Sequence, residues 1–273
     1  MHSGARLYQA GYAALGTTTT KQEVLLDAAT LYAQWNNSNW SYCDHLTISN
    51  GSSVAGGEVR AGYASGTYWR VNGNGMSVCD ADIRLVGYET ALRELTVDVE
   101  DTVSGEAPDF LFNGDIVGME GARHHKAAIV KTGAGTMLMN GGLMYTNSPT
   151  RVVEGTLSLG GSGVTAGEHG FSLDGGTLAL AAGTANTAAT VAVTADSTLK
   201  FGDGSALFLT NLMIAEGKTL LLSGVVPRKG LKVETALDDA TLARIRFADS
   251  RSRKVVQTGG YVHAVKGFVI ILR

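Results

Sequence analysis

Short apolar–polar alternations, broken by glycine, recur in fixed phase between residues 130 and 224. The tripeptides Gly135-Thr136-Met137, Gly155-Thr156-Leu157, Gly176-Thr177-Leu178, Ser197-Thr198-Leu199 and Lys218-Thr219-Leu220 place their threonines 20, 21, 21 and 21 residues apart. A second apolar residue follows each at Met139, Leu159, Leu180, Phe201 and Leu222. Ahead of them lies another apolar run with a turn, as in Val152-Val153 before Glu154-Gly155 and Phe171-Ser172-Leu173 before Asp174-Gly175-Gly176. Val191-Ala192-Val193 and Leu212-Met213-Ile214 repeat the arrangement. Alternation with a period of two predicts half-buried strands. The unit is therefore strand, turn, strand and glycine-rich loop.

The first half carries a looser repeat of about 25 residues. Gly62-Tyr63 and Gly87-Tyr88 are 25 apart, and Gly11-Tyr12 lies 51 before the first of them. Strand-like runs between these pairs close on Val54, Val78 and Val103, stepping by 24 and 25. Val24 to Trp40 reads as a degenerate copy. Three regions follow: looser coils over 1–120, regular coils over 121–224, and a terminal segment over 225–273. This last segment leaves the repeat, with Pro227, a short helix predicted around Asp238 to Arg244, and strand-like runs near Ile245, Val255 and Val262 to Ile271. It reads as a cap over strand edges that would otherwise invite end-to-end association.

The period carries geometry. Twenty-one extended residues at about 3.3 Å each make a circuit of roughly 70 Å, the perimeter of a three-sided coil. Stacked coils lie about 4.8 Å apart, so each residue meets its equivalent one period away. Leu157, Leu178, Leu199 and Leu220 then form one inward column, and the threonines before them point outward. The predicted fold is all-β, a single-stranded right-handed parallel β-helix (β-solenoid). A β-sandwich gives no reason to hold a 21-residue phase, and the leucine-rich-repeat signature is missing.

Composition agrees. Glycine supplies 36 of 273 residues, about 13% against roughly 7% in average usage, and charged residues make up 17%. The net charge of −3 offers no electrostatic footprint for nucleic acid. Two cysteines are too few for a disulfide scaffold or a structural zinc site. Cys43 and Cys79 are 36 apart, near one and a half coils, which predicts two free thiols on opposite sides. No apolar run is long enough for a transmembrane helix. Residues 1–8 carry no stretch of signal-peptide type and the repeats begin near residue 7, so the chain reads as a piece of a longer one.

Val130-Lys131-Thr132-Gly133-Ala134-Gly135-Thr136-Met137, with Asn140-Gly141-Gly142, Tyr145-Thr146 and Glu154-Gly155-Thr156-Leu157-Ser158-Leu159-Gly160, resembles the autotransporter-associated β-strand repeat. Ser148-Pro149 departs from that pattern, where glycines are usual. The Gly-Tyr repeats over 46–104 look like the repeats associated with type V secretion and PEP-CTERM proteins. The resemblance implies a right-handed β-helix from a bacterial surface or exported protein, a passenger or stalk. It brings no catalytic residues.

Candidate chemistry is thin. Asp80 with Asp82, and Asp98 with Glu100 and Asp101, are the carboxylates that a polysaccharide lyase or hydrolase, or a Ca²⁺ site, would draw on. The basic and paired-acid constellations of β-helical enzymes have no match, so these read as solvated outer residues. His124-His125 point to opposite faces of any regular strand and cannot share one metal ion. Gly202-Asp203-Gly204-Ser205 reads as a turn, and Arg251-Ser252-Arg253-Lys254 as an exposed face. The threonine row lacks a matching second row, since Leu138, Ser158, Ala179, Lys200 and Leu221 lie two residues on, which argues against ice binding. No catalytic, cofactor-binding or metal-binding residue is assigned, and no cofactor is expected. The expected function is a non-catalytic, secreted or cell-surface bacterial stalk or adhesin-like segment. It would engage surface glycans or a host or neighbouring-cell surface through its outer face and loops. The alternative is a carbohydrate-active β-helix with an unrecognised site.

Overall fold

The computed structural model describes residues 5–9, 23–33, 41–62, 66–86, 92–105, 107–118, 127–145, 148–165, 169–249 and 254–265. Parallel strands stack into a β-solenoid of about nine turns. The chain winds through three sheets in turn. Among the described residues, sheet A has eleven strands, from Ala5–Gln9 to Ile245–Phe247. Sheet B has twelve, beginning with Glu23–Asp27 and ending in the hairpin Lys254–Thr258 and Tyr261–Val265. Sheet C is short, with five strands from Ser41–Tyr42 to Leu143–Met144.

Alternation places one apolar set inside. The sheet A column runs in register from Leu31 through Val54, Cys79, Phe112, Met139 and Leu159 to Leu180 and Phe201, each essentially inaccessible to solvent. Met137, Leu157, Leu178 and Leu199 stack beside it. Full burial of such a side chain contributes roughly 1.5–3 kcal/mol. Trp69 fills the sheet B side, its indole N–H donating to the Cys43 carbonyl over 3.0 Å.

The regular register holds across Thr136, Thr156, Thr177 and Thr198. It breaks at the last step, where Thr198 faces Leu221 and Leu199 faces Leu222. Thr219 therefore does not join the column. The three residues between Val193 and Ser197 become five between Ile214 and Leu220, and the extra pair is taken up in a turn where Gly217 has φ 70° and the Lys218 N–H donates to the Ala215 carbonyl. A displacement of two residues keeps each side chain on its face. Leu220 stays buried, opposite Ser197.

The looser half differs from its predicted alignment for the same reason. Val54 faces Cys79, not Val78. A one-residue slip reverses faces, so Val54 is buried while Val78 looks outward. Val103 lies in the long connection before Phe110–Phe112. In sheet B the inward column Val24, Leu46, Trp69, Val97, Lys131, Val152, Leu173, Val193, Ile214 steps by 22, 23, 28, 34, 21, 21, 20 and 21 residues. The 25-residue repeat is an average over unequal coils.

The third corner tightens along the axis. In Ala185–Val193 and Ala206–Ile214 one nine-residue strand spans what earlier coils divide between sheets C and B. Inward positions run 186, 188, then 191, 193, so the parity shifts once near Ala189-Thr190. The corner survives as a bend without a loop. Parallel pairing continues past residue 225, with Leu231–Val233 on Leu207–Leu209 and Ile245–Phe247 on Leu220–Leu222. The antiparallel hairpin, turning at Gly259-Gly260, then covers the end of sheet B. Helix α1, Asp239–Ala243, is capped by the Asp238 carboxylate accepting from the Thr241 N–H.

Candidate functional surface

Of the polar residues singled out in the sequence, Asp80, Asp82 and Asp98 are engaged with neighbouring coils. At the corner between sheets A and C, the Asn113 amide donates to Asp80 over 2.7 Å, and Asn140 to Asn113 over 2.8 Å. Beside this ladder, Asp82 accepts from the Asp115 N–H (2.8 Å) and Asp115 from the Gly142 N–H (2.6 Å). Coils approach so closely here that a Cβ on Gly141 would collide with the Gly114 carbonyl. Asp98 belongs to another face. It pairs with Arg70 at 3.5 Å and accepts from the Thr132 hydroxyl at 3.3 Å. Glu100 follows the end of that strand and is exposed, as is Asp101. The two acidic groups thus lie on different corners and do not converge. His124 and His125 fall outside the described residues, as do Arg251, Ser252 and Arg253.

On the outer face of sheet B, Arg151 bridges Glu94 (3.1 Å) and Asp174 (2.8 Å). Burial works against the ionised Asp174, but hydrogen bonds from Ser172, Thr194 and Arg151 outweigh it and hold this carboxyl below its ordinary range. On sheet C, Glu58 sits between Arg60 (3.2 Å) and Arg84 (2.6 Å). Sheet A offers a different exterior. Its two outward rows, Thr136-Thr156-Thr177-Thr198 and Leu138-Ser158-Ala179, run uncharged until Lys200.

Gly202-Asp203-Gly204-Ser205 is a turn: the Ser205 hydroxyl donates to the Gly202 carbonyl and Gly204 has φ 67°. Cys43 and Cys79 are free and buried, Cys43 in the corner between Ser41–Tyr42 and His45–Ser49 and Cys79 on sheet A. Burial pushes the Cys43 thiol up to about 12, and Cys79 higher still, so neither is a nucleophile at neutral pH. Among the described residues no three His, Cys, Asp or Glu side chains are grouped to hold a metal ion. None of the described helices is long and apolar enough to cross a membrane. A cleft of about 330 Å³ near the terminal hairpin is lined in part by Arg228, Phe247, Asp249 and His263.

Sequence reasoning gave no role to two buried ionisable groups. Lys131 occupies an inward position and is fully buried. Its ammonium donates to the carbonyls of Thr132 (2.7 Å), Gly133 (2.8 Å) and, one coil on, Glu154 (3.2 Å). Desolvation lowers its pKa to about 8, against the pull of Asp98, Glu154 and Asp109. Asp109 is also buried, accepting from the N–H groups of Thr102, Val103 and Thr136 at 2.6–2.7 Å. The readable signal for Lys131 was parity, since it sits two residues after Ile129 in an alternating run.

No family model, characterised protein or solved structure matches the chain. The likeness to autotransporter-associated repeats rests on the residues quoted for it.

Proposed function

We propose that the chain is a non-catalytic segment of an exported bacterial surface stalk, an adhesin-like rod. About nine turns at roughly 4.8 Å give it a length of roughly 40 Å. The observation that carries this reading is where its polar side chains go. Asp80, Asp82, Asp98, Asp109 and Lys131 each bond across to a neighbouring coil, which favours a mechanical over a chemical role. Its partner would be a neutral surface glycan, because the outward rows of sheet A from Thr136 to Thr198 carry hydroxyl and aliphatic groups without charge.

The test joins location to activity. Protease treatment of intact producing cells should release fragments of this chain, and incubation with neutral and acidic polysaccharides should give no turnover. Protection from protease on intact cells would remove the export reading. Turnover abolished by Asp80→Asn or Asp98→Asn would replace it with a carbohydrate-active enzyme.

A further inference from the structure

A buried polar chain at the corner between sheets C and B joins three successive coils. His169 and Thr150 are fully buried, and Tyr145 nearly so. The His169 Nδ1 lies 2.6 Å from the Tyr145 carbonyl, and its Nε2 lies 2.9 Å from the Thr150 Oγ1. Thr150 Oγ1 in turn meets Tyr145 Oη, which accepts from the Ile129 N–H at 3.2 Å. Ile129, Thr150 and Phe171 are equivalent positions on consecutive coils.

The donors fix each proton. A carbonyl only accepts, so Nδ1 carries hydrogen. In the neutral ring Nε2 must then accept, from the Thr150 hydroxyl. That hydroxyl accepts from Tyr145 O–H, whose oxygen is left for Ile129. The chain is complete and has one direction. Protonation of Nε2 breaks it. Thr150 would accept from the ring, and whether its own hydrogen turns to Tyr145 Oη or the phenol keeps donating to it, one hydroxyl hydrogen is left without a partner in a buried site. Leaving such a donor unsatisfied is costly.

We propose that His169, Thr150 and Tyr145 form an acid-sensitive latch that holds three coils together while His169 is neutral and releases this corner when it is protonated. Tyr145 and Phe171 pack their rings edge-on against the imidazole. Among the described residues, Tyr145 is a titratable group in direct contact with it. Burial pushes the imidazole below its ordinary 6.5, opposed by the bond to Tyr145. The unfolded chain therefore binds more protons below pH 6.5, and stability falls as pH drops through that region toward the folded value. The latch stands apart from the proposed surface role, which neither requires nor excludes it.

The experiment follows the wild-type protein by nuclear magnetic resonance. At pH 7.5 the ring should be the neutral Nδ1–H tautomer. Between pH 7 and pH 5 hydrogen exchange at Ile129 and Thr150, corrected for intrinsic rate, should rise severalfold. The amide of Ala181, bonded to Leu159 on sheet A, should not change. His169→Phe, where it folds, should remove the pH response. An Nε2–H tautomer, exchange at Ile129 that tracks Ala181, or an undiminished response in His169→Phe would overturn the latch.

Discussion

Single residues divide sharply by which face they occupy. Leu178 is wholly buried, while its neighbour Thr177 is only half-buried. Leu178→Asp should destabilise by several kcal/mol, about 3–5, because it places an unpaired charge in the core. Thr177→Asp should cost about 1 kcal/mol or less, and chemical denaturation of the two variants measures the difference. Lys131 is the informative exception. Its folded pKa of about 8 lies below the ordinary 10.5, so between those values the unfolded chain holds a proton that the folded chain has released. Wild-type stability should thus rise from pH 8 to pH 10.5, by up to about 3 kcal/mol at 1.36 kcal/mol per unit. Lys131→Met should lose that rise, and stability measured across this range for both proteins checks it.

At the scale of strands and turns, alternation revealed the face of a residue better than its partner. The run Thr136 to Met139 and its copies announce strands because in-out parity is local. Partner assignment depends on how many residues the intervening corner absorbs. Thr219 shares its tripeptide with Thr198, yet the longer turn at Ala215 to Thr219 puts Leu221 opposite instead. Val78 falls out of alignment for a like reason: the offset between paired residues grows from 23 at Ser49 and Asn72 to 25 at Val54 and Cys79, so the later corner absorbs two more residues. The buried constellations were hidden because they are assembled across coils: His169 meets Tyr145 from 24 residues away. Coil joints should be individually modest. Asn113→Ala removes bonds to both Asp80 and Asn140 on an exposed corner and should cost about 1–2 kcal/mol in thermal or chemical unfolding.

Over the whole molecule these joints add up to a stack in which each coil touches chiefly its neighbours, and cooperativity passes along the axis. One interior column is shared by equal and unequal coils alike, so insertions such as those between Val97 and Lys131 leave the core continuous. The surface reading depends on that continuity, because a rod can present an exterior only if the interior holds register. Engineered disulfides read register directly. Parallel neighbours lie about 4.8 Å apart, within disulfide reach, and the native thiols are buried. Cysteine pairs at 156/177 and at 198/221 should cross-link on mild oxidation, while pairs at 198/219 and 156/178 should remain reduced. Efficient bonding of 198/219, or failure of 156/177, would contradict the stacked-coil account.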